Sequence, residues 1–200
     1  VKGPQFAAIV LAGGLSSRMK QFKPLLPLGG ATIIEHVIAT FKHAGADVFL
    51  VTGHRQEEIK SVIKTPGITI IYNPDYEKGM FSSIQAGIRH LPPGYQGFLM
   101  LPVDIPMVKT GTIKLIMQAG VNHPENIIYP VYDGKRGHPP LIPASLMPEI
   151  LDWNKEGGLK SFLLTREKSA LDIPVTDSSI LFDIDTPEDY ENLLKRYRRY

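Results

Sequence analysis

The run Phe6-Ala7-Ala8-Ile9-Val10-Leu11 passes directly into Ala12-Gly13-Gly14-Leu15-Ser16-Ser17-Arg18-Met19-Lys20-Gln21-Phe22-Lys23, and this junction decides the fold. A strand with one wet face alternates apolar and polar residues. An unbroken apolar run instead marks a strand buried on both faces, as in a parallel sheet covered by helices. Two glycines at its carboxyl end let backbone N–H groups approach a ligand closely. Small hydroxyls follow, then Arg18, Lys20 and Lys23, which together supply fork and point charges for several phosphates. The stretch is not a Walker P-loop, because Arg18 stands where the second glycine is needed, and it is not G-x-G-x-x-G. On these residues alone, a glycine turn trailed by basic surface side chains remains open.

Outward from this junction, strand-like and helix-like stretches alternate. Thr32–Ala44 sets Ile34, Val37, Ile38 and Phe41 at i, i+3, i+4, i+7, predicting a helix with one buried stripe. Strands are expected at Asp47–Thr52, Thr69–Tyr72 and Gly97–Leu101, with helices near Glu57–Lys64, Phe81–Arg89 and Thr110–Ala119. This rhythm calls for an α/β fold with a mostly parallel central sheet and helices on both faces. Right-handed crossovers then bring the strand ends to one rim, where such sheets bind ligands. Beyond a strand at Ile127–Val131 the pattern loosens. Gly134, Gly137, Pro139, Pro140 and Pro143 suggest a hairpin or flap. Helical segments near Leu146–Asn154 and Leu159–Thr165, a strand at Ala170–Val175 and a last helix opening at Thr186-Pro187 complete the reading.

Composition bounds the function classes. The 200 residues, 43% hydrophobic and 21% charged, suit one domain spanning 1–200, with no linker or repeat. The 22 basic and 20 acidic residues give a net charge of +2, so no nucleic-acid partner is expected. No apolar run has membrane-span length, and the expectation is a chain without a secretory signal, cytoplasmic and without membrane attachment. The absence of cysteine excludes disulfides, thiolate metal sites and thiol nucleophiles.

The glycine segment resembles the L-A-(A/G)-G-x-S-x-R-M-(G)-x-x-K signature of nucleotidyltransferases acting on molybdopterin and related small molecules. Further blocks of that MobA/MocA-like family recur in order: GMFSSIQAG at 79–87, LPVDIP at 101–106, GHP at 137–139 and DIDTPEDY at 183–190. The resemblance implies a three-layer, Rossmann-like domain of the glycosyltransferase-A-like kind. It implies in-line attack by a phosphomonoester on the α-phosphate of CTP or GTP, with pyrophosphate leaving. The acceptor it implies is molybdopterin-type, and the partner served downstream is a molybdoenzyme or its chaperone. The L-A-G-G run matches the guanylyl branch, whereas GHP and GMFSSIQAG match the cytidylyl branch, so the base stays open. Lys20 also departs from the glycine that commonly follows R-M.

Residue by residue, the resemblance assigns nucleotide contact to Leu11, Ala12, Gly13, Gly14, Gly53, Gly79, Ser82 and Ser83. Arg18 and Lys23 neutralise the leaving pyrophosphate. Asp104, at the end of an apolar strand, holds Mg²⁺ with Asp185. Asp183 shares strand-like spacing with Asp185 and either supports it or faces solvent. Glu188 and Asp189 fall in the first turn of the last helix, where acids are favoured structurally. Ser82 and Ser83 either cap their helix or read a base edge. Gly53 is expected at a close approach. Gly137, His138 and Pro139 form an exposed bend that contacts the acceptor, with His138 binding rather than acting as a base, since a phosphate needs no proton removed at pH 7. Two other readings compete: a nucleotidyltransferase for another phosphomonoester such as a sugar phosphate, and a silent nucleotide-binding accessory protein.

Overall fold

The structure, a computed structural model, describes residues 5–14, 19 and 21–198. Its first half alternates strand and helix: β1 (Phe6–Ala12), a ribbon of β2 (Pro27–Leu28) and β3 (Ala31–Thr32), α1 (Ile33–Ala44), β4 (Asp47–Thr52), α2 (Gln56–Val62), β5 (Ile68–Tyr72), α3 (Met80–Arg89), β6 (Gly97–Pro102) and α4 (Thr110–Asn122). The second half runs β7 (Ile127–Tyr132), β8 (Lys135–Arg136), β9 (Leu141–Pro143), α5 (Met147–Asp152), α6 (Gly158–Leu164), β10 (Ala170–Pro174) and α7 (Pro187–Tyr197).

β1 is buried at every position. Its side chains alternate between two cores, Phe6, Ala8, Val10 and Ala12 on one face and Ala7, Ile9 and Leu11 on the other. The first face is covered by α1, α4 and α7, through residues such as Phe41, Ile116 and Leu193. The second is covered by α3, α5 and α6, through Ile84, Ile150 and Phe162. The result is three layers around a sheet ordered β10-β7-β9-β6-β1-β4-β5, with β8 on the side of β7. β5, β4, β1 and β6 are mutually parallel, so Tyr72, Thr52, Ala12 and Pro102 end on one rim.

Local chemistry sets the boundaries. α1 starts after Thr32, whose backbone N–H and hydroxyl both donate to Glu35 (2.8 and 2.7 Å), and it stops at Gly45, left-handed at φ 90°. The expected stripe Ile34, Val37, Ile38 and Phe41 lies fully inside the core. The loosened region resolves into a β7–β8 hairpin turning through Asp133 and Gly134, at φ 48° and 71°, a conformation suited to a tight hairpin turn. β9 then inserts antiparallel between β6 and β7. Among the described residues no helix is long and apolar enough to cross a membrane.

One buried carboxylate ties the two halves together. Asp177 is 2% exposed and accepts from the Lys109 N–H, the Thr112 hydroxyl and the Ser179 N–H, at 2.9, 2.8 and 3.1 Å. It thereby caps α4 from 65 residues away. Asp177→Ala strands these donors, and we expect a loss of about 2–3 kcal/mol in urea unfolding. A change within a few tenths of a kcal/mol would show that the network is dispensable.

Candidate active site

Three charged side chains from distant parts of the chain converge at the rim. Asp104 follows β6, where the Val103 N–H donates to the Leu11 carbonyl (3.0 Å) and the Asp104 carbonyl accepts from the Ile184 N–H (2.9 Å). These bonds bring the 183–185 segment beside β6. Asp185 is fixed from the other side by α7: Asp189 accepts from the backbone N–H groups of both Asp185 (3.1 Å) and Thr186 (2.8 Å). Thr186 Oγ1 in turn accepts from the Asp189 N–H, and hydrogen bonds from Thr186 hold the Asp189 carboxyl below its ordinary range. Asp189 thereby holds the backbone of Asp185 in place.

Lys23 opens a short 3₁₀ turn, Lys23–Leu25, and its side chain is only 10% exposed. Its Nζ donates to Asp185 Oδ1 at 2.8 Å and stands 3.6 Å from Asp104 Oδ2. An ammonium thus lies between two carboxylates that are each about a quarter exposed, 26% and 28%. Burial raises the Asp104 carboxyl above its ordinary value; Lys23 pulls it down, while Asp185 and Asp183 push it further up. Asp183 itself is exposed, whereas Ile184 between the two acids is fully buried.

Two clefts meet here. The first, about 310 Å³, is lined by Leu11, Ala12, Gly13, Gly14, Lys23, Gly79, Ser83 and Asp104 among others. The two loop glycines differ. A Cβ on Gly13 would lie 3.4 Å from both the Gly53 nitrogen and the Ser83 hydroxyl, whereas one on Gly14 would meet nothing. A side chain at Gly13 would therefore sit in ordinary van der Waals contact with the cleft wall, whereas one at Gly14 would enter open space. Gly79 N-caps α3 at φ 97°, a conformation that favours glycine. Arg18 lies outside the described residues.

Gly53 and Ser82 do not line this cleft. The close approach at Gly53 is made by the chain itself, since a Cβ there would fall 2.4 Å from Tyr76 Cβ. Ser82 does not open α3 either, because the helix begins at Met80, and its hydroxyl turns back to the carbonyls of Asp75 and Gly79, both at 2.8 Å. Asn73 donates to both serine hydroxyls, at 2.9 and 3.0 Å, and so fixes Ser83 against Gly13. Sequence reading missed Asn73 and Tyr76. The signal was present: Asn73-Pro74-Asp75-Tyr76 follows β5 and leaves the sheet at the same rim.

The second cleft, about 620 Å³, adjoins the first at Met80, which lines both. Phe81, Ile84, Leu159, Leu163 and Leu164 make it apolar, and Lys78, Arg136 and Lys160 also line it. Gly137 and His138 belong to its wall, but Pro139 does not, being buried behind it. The expected exposed bend is corrected here. His138 is half-buried, the His138 N–H donates to the Ile180 carbonyl (3.0 Å), and a Cβ on Gly137 would lie 2.5 Å from that oxygen. Burial lowers the His138 imidazole's pKa, outweighing a Met100 backbone hydrogen bond and the charge of Asp183, and so favours the neutral ring. Its Nδ1 is buried without a hydrogen-bond partner among the described residues.

The Arg136 wall is anchored by pairing. Its guanidinium donates to both Glu167 oxygens (2.9 and 2.7 Å) and to Asp172 (2.6 Å), and lies 4.4 Å from the centre of the Tyr129 ring. Sequence reading missed this wall, since its parts come from β7, β8, β10 and the turn after α6.

Residues 8–170 match the model of the MobA-like NTP transferase domain family. The molybdenum cofactor cytidylyltransferase of Escherichia coli K12 is 30% identical over 190 residues, covering 94% of this chain and 95% of that protein. The molybdenum cofactor guanylyltransferase of Vibrio cholerae is 28% identical over 185 residues, covering 90% and 87%. In structure, Rv0371c of Mycobacterium tuberculosis H37Rv superposes with a TM-score of 0.86 at 23% identity, over 98% of this chain and all of that one. That protein's manganese complex gives 0.80 at 21%, over 97% of this chain and 100% of that one. The parallel sheet, the carboxylates at its rim and a family match across most of the chain lead to one conclusion: this protein belongs to the MobA-like NTP transferase family and is a nucleotidyltransferase.

Proposed function

We propose that the chain transfers a nucleoside monophosphate from CTP or GTP to the phosphate of a molybdopterin-type acceptor, releasing pyrophosphate. The observation that carries the reading is the meeting of Asp104, Asp185 and Lys23 at the mouth of a cleft that opens onto a second, apolar one. The first cleft takes the triphosphate, with Gly13 and Gly14 offering backbone N–H groups and Arg18 and Lys23 countering the leaving charge. Ser83, which also lines this cleft, is assigned to the nucleobase side. The acceptor lies in the second cleft, where Phe81 and Leu163 suit a flat ring system better than a hydroxyl-rich sugar.

Mg²⁺ fits the donor set. Two carboxylates that converge on one ammonium offer hard oxygens to one cation, and no group of three acidic or imidazole ligands stands ready among the described residues. That is the arrangement for an ion shared with substrate phosphates and water rather than one held by protein alone. When bound, the ion would neutralise phosphate charge during displacement. The manganese complex of the M. tuberculosis neighbour supports a divalent ion. Catalysis otherwise consists of positioning, as in phosphoryl transfer generally.

The test is turnover of each of four nucleoside triphosphates with Mg²⁺ and molybdopterin or its molybdenum form, read as pyrophosphate release. Release with a sugar phosphate and none with the pterin would overturn the acceptor assignment. Within this reading, His138→Ala raises the acceptor KM about tenfold, the loss of one neutral hydrogen bond, and leaves nucleotide affinity unchanged. A fall in nucleotide affinity with acceptor absent would move His138 to the other side of the site.

A further inference from the structure

We infer that Lys23 is a resident counter-cation, holding the place between Asp104 and Asp185 until the nucleotide's phosphates draw its ammonium away, so that divalent-ion binding follows nucleotide binding. This rests on the metal reading of Asp104 and Asp185 given above. Three observations carry it. Nζ is within 2.8 Å of one carboxylate and 3.6 Å of the other, so it occupies the region from which both would reach a shared cation. The lysine side chain is only 10% exposed, which makes this a built contact rather than a passing one of a surface chain. Lys23 also lines the triphosphate cleft together with Gly13 and Gly14, so rotation of its four-carbon stem can carry Nζ to the phosphates without backbone movement.

The energetics follow from charge. A divalent ion arriving alone meets a positive charge at its own position, and displacing the ammonium gives it no phosphate to pair with. With a triphosphate present, the ammonium gains new anionic partners, the carboxylates lose their cation, and the ion replaces it. Binding of the two ligands is therefore coupled through Lys23, and the coupling is reciprocal.

The probe is Mn²⁺, counted by electron paramagnetic resonance of the free ion, with and without CTP or GTP and with acceptor omitted. We expect the parent protein to bind Mn²⁺ weakly alone and more tightly with nucleotide. Lys23→Met should bind Mn²⁺ alone about tenfold more tightly than the parent, within the usual range of coupled binding, and the tightening by nucleotide should shrink correspondingly. Lys23→Gln serves as a second variant, each checked by a melting curve. Mn²⁺ affinity that strengthens with nucleotide but ignores both substitutions overturns the inference alone. No Mn²⁺ binding even with nucleotide overturns the metal site and the inference together. Crystals of the parent protein with nucleotide and Mn²⁺ give a reading that needs no variant. Nζ beyond hydrogen-bonding reach of both carboxylates supports the exchange, and Nζ still between them, with the metal elsewhere, overturns it.

Discussion

Asp104→Asn is expected to lower kcat/KM about a thousandfold, equivalent to about 4 kcal/mol of transition-state stabilisation, while the protein stays folded. The amide keeps the shape of the carboxylate but replaces a charged hard-oxygen ligand with a neutral one, and Mg²⁺ prefers the charged oxygen. Folding is spared for a reason visible in the site. Burial already disfavours the charged form of Asp104, and Lys23, its nearest cation among the described residues, stands at 3.6 Å and bonds to Asp185. A neutral side chain there removes a desolvated charge without stranding a donor. Asp185→Asn should lose activity similarly, whereas exposed Asp183 should tolerate the change to asparagine within about tenfold, as for a charge screened by water. Pyrophosphate release is the assay, and circular dichroism with a melting curve must accompany it. A folded Asp104→Asn protein with near-parental Mg²⁺-dependent turnover would remove the carboxylate from the mechanism.

Much of this arrangement was legible in the sequence where the signal is local. The unbroken run of β1 requires burial on two faces, and the two cores on its alternate residues are what that requirement produces. Thr186-Pro187 predicted the start of α7, and the capping box there also explains how Asp185 is held. The second half was harder. β9 is three residues ending in a proline, too short for periodicity, and its antiparallel place in the sheet comes from pairing with β6 and β7. The environment of His138 was equally hidden. A Gly-His-Pro turn reads as exposed, but the Ile180 carbonyl, contributed from the far end of the chain, accepts its backbone N–H and closes it in. Gly53 illustrates the same limit: sequence signals that a backbone must be approached closely, and only the packing reveals that Tyr76 is what approaches. The position of Lys23 between two acids depends on a contact spanning 162 residues, which no local pattern encodes.

Lys23→Ala should cost about 2–4 kcal/mol in kcat/KM, a loss of about thirtyfold to a thousandfold, because the departing pyrophosphate loses a positioned charge. Stability separates this from a merely structural effect. In the parent protein Nζ compensates Asp185 directly and Asp104 at longer range, and all three side chains are mostly withdrawn from water. Removing one member of a fully buried pair costs about 3–5 kcal/mol, but these carboxylates retain enough exposure for water to reduce the penalty to about 1–2 kcal/mol. The variant should therefore melt a few degrees lower without metal. Adding Mg²⁺ should recover more of its melting temperature than it adds to the parent, since the ion now supplies the missing positive charge at the carboxylates. Activity should not recover with it, because the ion cannot stand in for an ammonium that has moved to the phosphates. Recovery of both melting temperature and turnover on adding Mg²⁺ would mean that Lys23 serves only to balance the two acids and takes no part in the transfer.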